Sequence, residues 1–138
     1  MKHRESEQTQ LRVSRLLNRD SVMLHAEMPS VQTALETLVE LQESNGVITN
    51  GTAYYKAVCE RERAGGTTAI GEGLAIPHAC NAGVASLGLA ALTLTRGLDW
   101  GAADGKLVDM IFMVAVPPDR QSDHLLILAR LVNLHSDH

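Results

Sequence analysis

With 138 residues, 45% of them hydrophobic and 20% charged, the chain has the size and balance of one soluble globular domain able to bury a core. A formal net charge of -4 argues against nucleic-acid binding, which calls for a basic footprint. No apolar run approaches the roughly 20 residues of a membrane span, and the polar start "MKHRESEQTQ" lacks the apolar segment of a secretory signal.

Residues 1–10 read as a polar tail, and 11–138 as one domain. "LRVSRLLNRDSVML" offers a helical turn or two, then a short strand around Val22 to Leu24. Ser30 is placed to cap "VQTALETLVELQES", where Val31, Ala34, Leu35, Leu38, Val39 and Leu41 follow the spacing of an amphipathic helix. Asn45-Gly46 ends that helix, since both residues tolerate left-handed backbone. A second helix is expected from near Thr52 through "AYYKAVCERER", stopping at Gly65-Gly66. Three short apolar runs follow, "GLAIPHA", "LGLAALTLTR" and "KLVDMIFMVAVP", bounded by Gly, Pro and Asp in the manner of buried strands. Between the last two, "GLDWGAADGK" carries turn chemistry, with Asp104-Gly105 as a turn pair. After Pro117-Pro118 and the polar "DRQSD", a final helix "HLLILARLVNL" is expected, with Ser122 as its cap and His124 in its first turn. Aromatic residues make up only 3%, so the core must be aliphatic. These elements predict an α/β sandwich, a central β-sheet flanked by helices.

The chemistry concentrates in "IGEGLAIPHA", residues 70–79. Pro77 fixes the approach to His78, while Gly71 and Gly73 allow positive φ and close backbone approach, leaving N–H groups exposed nearby. A neutral imidazole there can act as a nucleophile if a carbonyl accepts the proton of one ring nitrogen and leaves the other directed. Backbone donors and a cation would then stabilise a transferring phosphoryl group. A plain turn followed by an ordinary surface or core histidine fits the same spacing. His124, whose neutral form the helix dipole favours, can bond a phosphoryl oxygen or orient His78; a partly exposed polar residue at a helix start is the other reading. Arg61, in "ERER" ahead of the glycine joint, suits a phosphoryl clamp. Glu60, Glu62 and Arg63 read as a solvated helix face. Leu125, Leu128, Leu131 and Val132 form a stripe facing the core. His78, Cys80 and His124 lack the further ligands of a zinc site, so neither metal nor cofactor is expected. The two cysteines, Cys59 and Cys80, make no disulfide framework, and a reducing cytoplasm suits them.

"TTAIGEGLAIPHA" closely resembles the active-site signature of the enzyme IIA domains of the fructose–mannitol class in the bacterial sugar phosphotransferase system. The resemblance extends from about Leu11 to Leu134, through "LLNRDSVML", "NGVIT", "RER", "GLDWGAADGKLVDMIFMVAVP" and "HLLILARL" in order. It implies an α/β sandwich with a central mixed sheet. It also implies a phosphoryl carrier that accepts from the phosphohistidine of HPr and donates to a cysteine of enzyme IIB. The family's phosphorylated histidine corresponds to His78, its second active-site histidine to His124, and its arginine to Arg61. One extra residue in the Gly65-Gly66 joint leaves that last assignment open between Arg61 and Arg63. Ala69 stands where many relatives have glycine. Relatives continue beyond Leu134, so a domain shortened at its C-terminus is expected, with apolar surface exposed. A second role fits the same resemblance: a regulatory IIA-like domain, of the nitrogen-related branch or within a transcription regulator, whose phosphorylation controls partner binding. A structural domain with a decayed site is disfavoured, because His78, His124 and an arginine are all present.

Overall fold

The computed structural model describes residues 17, 19–64, 66–121, 127–128 and 130–133. A 3-10 turn at Arg19–Ser21 leads into strand β1, Val22–Ala26. Residues 11–16 and 18, where the first helical turn was expected, lie outside the described residues.

Helix α1 spans Val31–Ser44 as the spacing predicts. Ser30 holds extended backbone at its start, and its hydroxyl accepts the Thr33 N–H at 3.1 Å, satisfying one of the donors a helix leaves unpaired. Gly46, at φ 77, takes the left-handed position just after the helix, behind Asn45. Helix α2 spans Gly51–Ala64, starting one residue earlier than expected. The reason is a cap at Asn50, whose side-chain oxygen accepts the Ala53 N–H at 3.1 Å.

The sheet is mixed. Its strands are β1, β2 (Ala69–Gly71), β3 (Leu74–Ala75), β4 (His78–Cys80), β5 (Gly88–Leu98) and β6 (Val108–Val116), in the order β1-β5-β6-β3-β2, with β4 also paired to β6. β1 runs parallel to β5, and β3 and β4 run parallel to β6; β5–β6 and β2–β3 are antiparallel. Three details differ from the sequence expectation. "GLAIPHA" is two short strands, because Pro77 has no N–H to give a ladder and Ile76 donates its own to the Thr68 carbonyl at 3.1 Å. β2 was not foreseen as a strand. Gly97 and Leu98, expected in a turn, continue β5.

Residue alternation gives the sheet two apolar faces. On one, Ala75, Ala90, Leu92, Ile111, Met113 and Ala115 pack with Ala34, Leu35, Leu38 and Val39 of α1 and with Tyr54 and Val58 of α2. On the other, Leu74, Ile76, Leu89, Val114 and Val116 pack with Ile127 and Leu131. Residues 127–128 and 130–133 are helical, as the final helix requires; its expected cap Ser122 and its first turn lie outside the described residues. Leu38 is wholly buried at the centre of the α1 contact. Leu38→Ala should lower unfolding free energy by about 3 kcal/mol, the mid-range for a buried leucine replaced by a cavity. Urea denaturation followed by circular dichroism measures that loss; a change below about 1 kcal/mol would mean the site collapses around the smaller side chain.

Candidate functional site

β3 and β4 lie on one line. Leu74 is opposite Met110, Ala75 opposite Ile111 and His78 opposite Val114, so the register along β6 is unchanged across the Ile76-Pro77 break. Val114 N–H donates to the Pro77 carbonyl at 3.0 Å and keeps the break attached. Period-two alternation therefore sets His78 and Cys80 on the face of Leu74 and Ile76, and Ala79 on the face of the two helices.

The His78 ring folds back over Pro77, and its Nδ1 lies 2.8 Å from the Ile76 carbonyl. A carbonyl oxygen only accepts, so Nδ1 carries the proton, and in the neutral ring Nε2 carries the lone pair. β4 is at the margin of the sheet, where the last turns of α2 approach it. The result is a cleft of about 500 Å³ lined by Ala57, Glu60, Arg61 and Ala64 of α2, by His78, Ala79 and Cys80, and by Val116. The two alanines leave room on the helix side. Arg61 donates from Nη1 to the Gly66 carbonyl at 3.0 Å, one of the several donors of its guanidinium.

Arg63 is placed elsewhere. It lines a second cleft of about 430 Å³, on another face of α2, with Tyr55, Cys59, Asp99 and Trp100. Burial and the neighbouring Cys59 push the Tyr55 phenol up to about 12, so it is a neutral donor there. The structure thus brings Arg61, and not Arg63, into the cleft with His78. His124 falls outside the described residues.

Glu62 is not part of a solvated face. It accepts the Thr68 N–H at 3.1 Å, bonds the Thr68 hydroxyl, and receives Trp100 Nε1 at 3.5 Å. This cluster fastens the end of α2 to β2 and the Trp100 loop. Tyr54 is a candidate functional residue that the sequence reading does not single out; it is wholly buried and its hydroxyl donates to Val114 O at 2.7 Å. Its one sequence signal is a place seven residues before Arg61, which puts both on one side of a helix.

The glycines of "IGEG" do not cradle the histidine. Gly71 (φ 101), Glu72 (φ 56) and Gly73 (φ 82) make the turn between β2 and β3, five to seven residues before His78 and about 16 Å or more along the strand. The turn is bonded to the Asp104–Lys106 loop and to the start of β6. Glu72 N–H donates to Asp104 at 2.9 Å, Gly73 O accepts from Asp109 and Met110, and Lys106 Nζ meets the Glu72 carboxylate at 2.8 Å. The backbone donors of Glu72 and Lys106 hold the Asp104 carboxyl below its ordinary pKa. A Cβ on Gly73 would lie 2.9 Å from Asp109 Oδ1, on backbone of positive φ. Gly73→Ala should therefore cost about 1–2 kcal/mol of stability. Phosphoryl-transfer assays normalised to the folded fraction should show no change; a large loss of transfer with stability intact would return these glycines to the site.

Among the described residues no three His, Cys, Asp or Glu side chains are grouped to hold a metal ion, and Cys59 and Cys80 are free thiols. Also among them, no helix is long and apolar enough to cross a membrane.

Residues 15–138 match the family described as phosphoenolpyruvate-dependent sugar phosphotransferase system, EIIA 2. The chain belongs to that family. Its sheet of six strands flanked by helices is the fold of this EIIA family, as solved structures show. The chain is 32% identical over 129 residues to the 2-O-alpha-mannosyl-D-glycerate-specific EIIABC component of Escherichia coli (strain K12), which covers 92% of this EIIA chain and 20% of that protein. The chain thus spans about a fifth of that relative. Nitrogen regulatory protein IIA-Ntr from Neisseria meningitidis superposes with a TM-score of 0.82 at 28% identity, over 90% of this chain and 84% of that one. The complex of enzyme IIAMTL and phosphorylated enzyme IIBMTL from Escherichia coli matches in fold, with a TM-score of 0.71 at 18% identity over 85% and 79%.

Proposed function

We propose that this EIIA domain is a phosphoryl carrier in which His78 Nε2 accepts a phosphoryl group from phospho-HPr and passes it to a cysteine of an enzyme IIB partner. The observation that carries the reading is the Nδ1–H of His78 held on the Ile76 carbonyl, in a cleft that Arg61 shares. In the first transfer, the Nε2 lone pair forms a P–N bond while the donor's P–N bond breaks and the donor nitrogen keeps that electron pair. His78 Nδ1 retains its proton on Ile76 throughout. In the second, the thiolate of the partner takes the phosphorus and the pair returns to Nε2. Little covalent work falls to the protein, so positioning and charge stabilisation supply the rate. The guanidinium of Arg61 offers planar, paired donors to the equatorial oxygens. His124, at the expected start of the final helix, is assigned the second hydrogen bond to the same group.

The likeness to an EIIABC component and the fold shared with a IIA seen beside phosphorylated IIB support this cycle. Such a carrier works in the cytoplasm, where both partners' sites are reached. The closer superposition on a nitrogen regulatory IIA favours a second reading, in which the same phosphorylation controls a regulatory partner. Adjacent IIB and IIC coding regions would indicate transport, and a nitrogen sigma-factor neighbourhood regulation.

The deciding experiment is incubation with radiolabelled phosphoenolpyruvate, enzyme I and HPr. Acid-labile label should appear on this chain, depend on HPr, and be discharged by a cognate IIB. Absence of label with all three components active overturns the carrier reading.

A further inference from the structure

Helix α2 lines the cleft with Glu60 and Arg61, and a third polar side chain, Tyr54, stands behind them. Tyr54 is seven residues before Arg61, about 10 Å back along the axis and within about 20° on the helix surface. It is wholly buried, and burial raises its phenol well above the ordinary pKa, so the hydroxyl remains a donor. A phenylalanine would fill the same space without the cost of burying a hydroxyl. The hydroxyl therefore matters through its partner.

That partner is Val114, the residue opposite His78 in the parallel ladder. Its peptide is bonded on both sides of the histidine. The Val114 N–H goes to the Pro77 carbonyl at 3.0 Å, and its carbonyl receives Tyr54 Oη at 2.7 Å. The Ala79 N–H abuts the same phenol oxygen. Tyr54 thus joins α2 to the strand pair at the peptides flanking His78. Further along α2, the Glu62 cluster with Thr68 and Trp100 fastens the helix to β2. Arg61 stands between these two anchors, and the Tyr54 anchor is the one tied to the strand that carries the histidine.

We propose that Tyr54 is a positioning residue for phosphoryl transfer: by tying α2 to Val114 it sets the Arg61 guanidinium at working distance from the His78 ring. This rests on the reading of His78 as the phosphoryl acceptor. Arg61 acts on charge that gathers as the phosphoryl group moves, so a small slide of the helix weakens the transition state more than it weakens docking of the carrier.

The test is Tyr54→Phe, alone and combined with Arg61→Ala, in steady-state transfer from phospho-HPr, with rates normalised to the folded fraction by native amide NMR signals. Tyr54→Phe should lower kcat roughly tenfold with KM for phospho-HPr unchanged. In the Arg61→Ala background the same substitution should change kcat less than about twofold, because what it positions is already gone. An unchanged kcat for Tyr54→Phe, or an equal loss in both backgrounds, overturns the proposal and leaves the carrier reading standing. A wild type that takes up no phosphoryl group overturns both.

Discussion

Replacing His78 with alanine should abolish phosphoryl uptake from phospho-HPr while leaving the fold intact. The side chain is on the short marginal strand β4, and the bonds that hold that strand are backbone bonds: Pro77 O with Val114 N, and Asn81 N with Val116 O at 3.0 Å. Among the described residues the imidazole adds a bond from Nδ1 to Ile76 O, which spans two residues. Its loss should move the denaturation midpoint little, in line with roughly 1 kcal/mol for a single hydrogen bond. Among the described residues the cleft holds no second imidazole. Cys80 is two residues on and its Sγ lies against the Pro117 carbonyl at 3.6 Å, which commits the thiol to a donor role. Label on the His78→Ala chain at the wild-type level would remove His78 from the reaction. Label moved to another residue, found by peptide mapping, would name its replacement.

The second large effect separates the two arginines. Arg61→Ala should slow transfer roughly 100-fold or more, the loss seen when one preorganised donor to a developing charge is removed. Arg63→Ala should leave the rate near wild type, because that side chain belongs to the cleft with Tyr55 and Trp100. Arg61→Lys should recover little, since an ammonium cannot offer the paired, planar donors of a guanidinium. Single-turnover transfer measured in parallel for all three variants decides the matter. The reverse ranking, with Arg63→Ala slow and Arg61→Ala fast, would mean that the register of α2 against β4 changes when HPr docks.

The sequence carried the helices well and the sheet margin poorly. Ser30 and Asn45-Gly46 bound α1 at both ends because capping is local chemistry, decided within a few residues. The run before His78 was harder. Whether it makes one strand or two depends on the Thr68 carbonyl, which takes the Ile76 N–H, and no periodicity reveals a partner eight residues away. "IGEG" misled for a related reason. Positive φ at glycine is equally the mark of an anion cradle and of a tight turn, and the choice lies with Asp104, which occupies the Glu72 N–H. His78 and Arg61 were legible as chemistry, and their meeting in one cleft follows from where α2 crosses the end of β4. Tyr54 was not legible, since an aromatic residue at helix spacing reads as core until its hydroxyl finds a carbonyl. Glu62 looked like one charge in a charged run because Thr68 and Trp100 reach it only through tertiary packing.

The unbroken register of β3 and β4 along β6 makes this chain unequally tolerant of changes in length. One residue inserted between Leu74 and His78 would turn the imidazole to the face of α1 and α2, into space now filled by Ala79. Two would restore the face but carry the ring about 7 Å along the sheet, away from Arg61. At the Gly65-Gly66 joint, ahead of the Thr67 and Thr68 bonds, the ladder imposes no such count. Gly66, at φ 79, has nothing within 4 Å of where a Cβ would stand. An added residue there lengthens a connection outside the ladder and leaves the histidine where it was. The spacing from arginine to histidine can drift at that joint, while the five residues from Leu74 to His78 must keep their count.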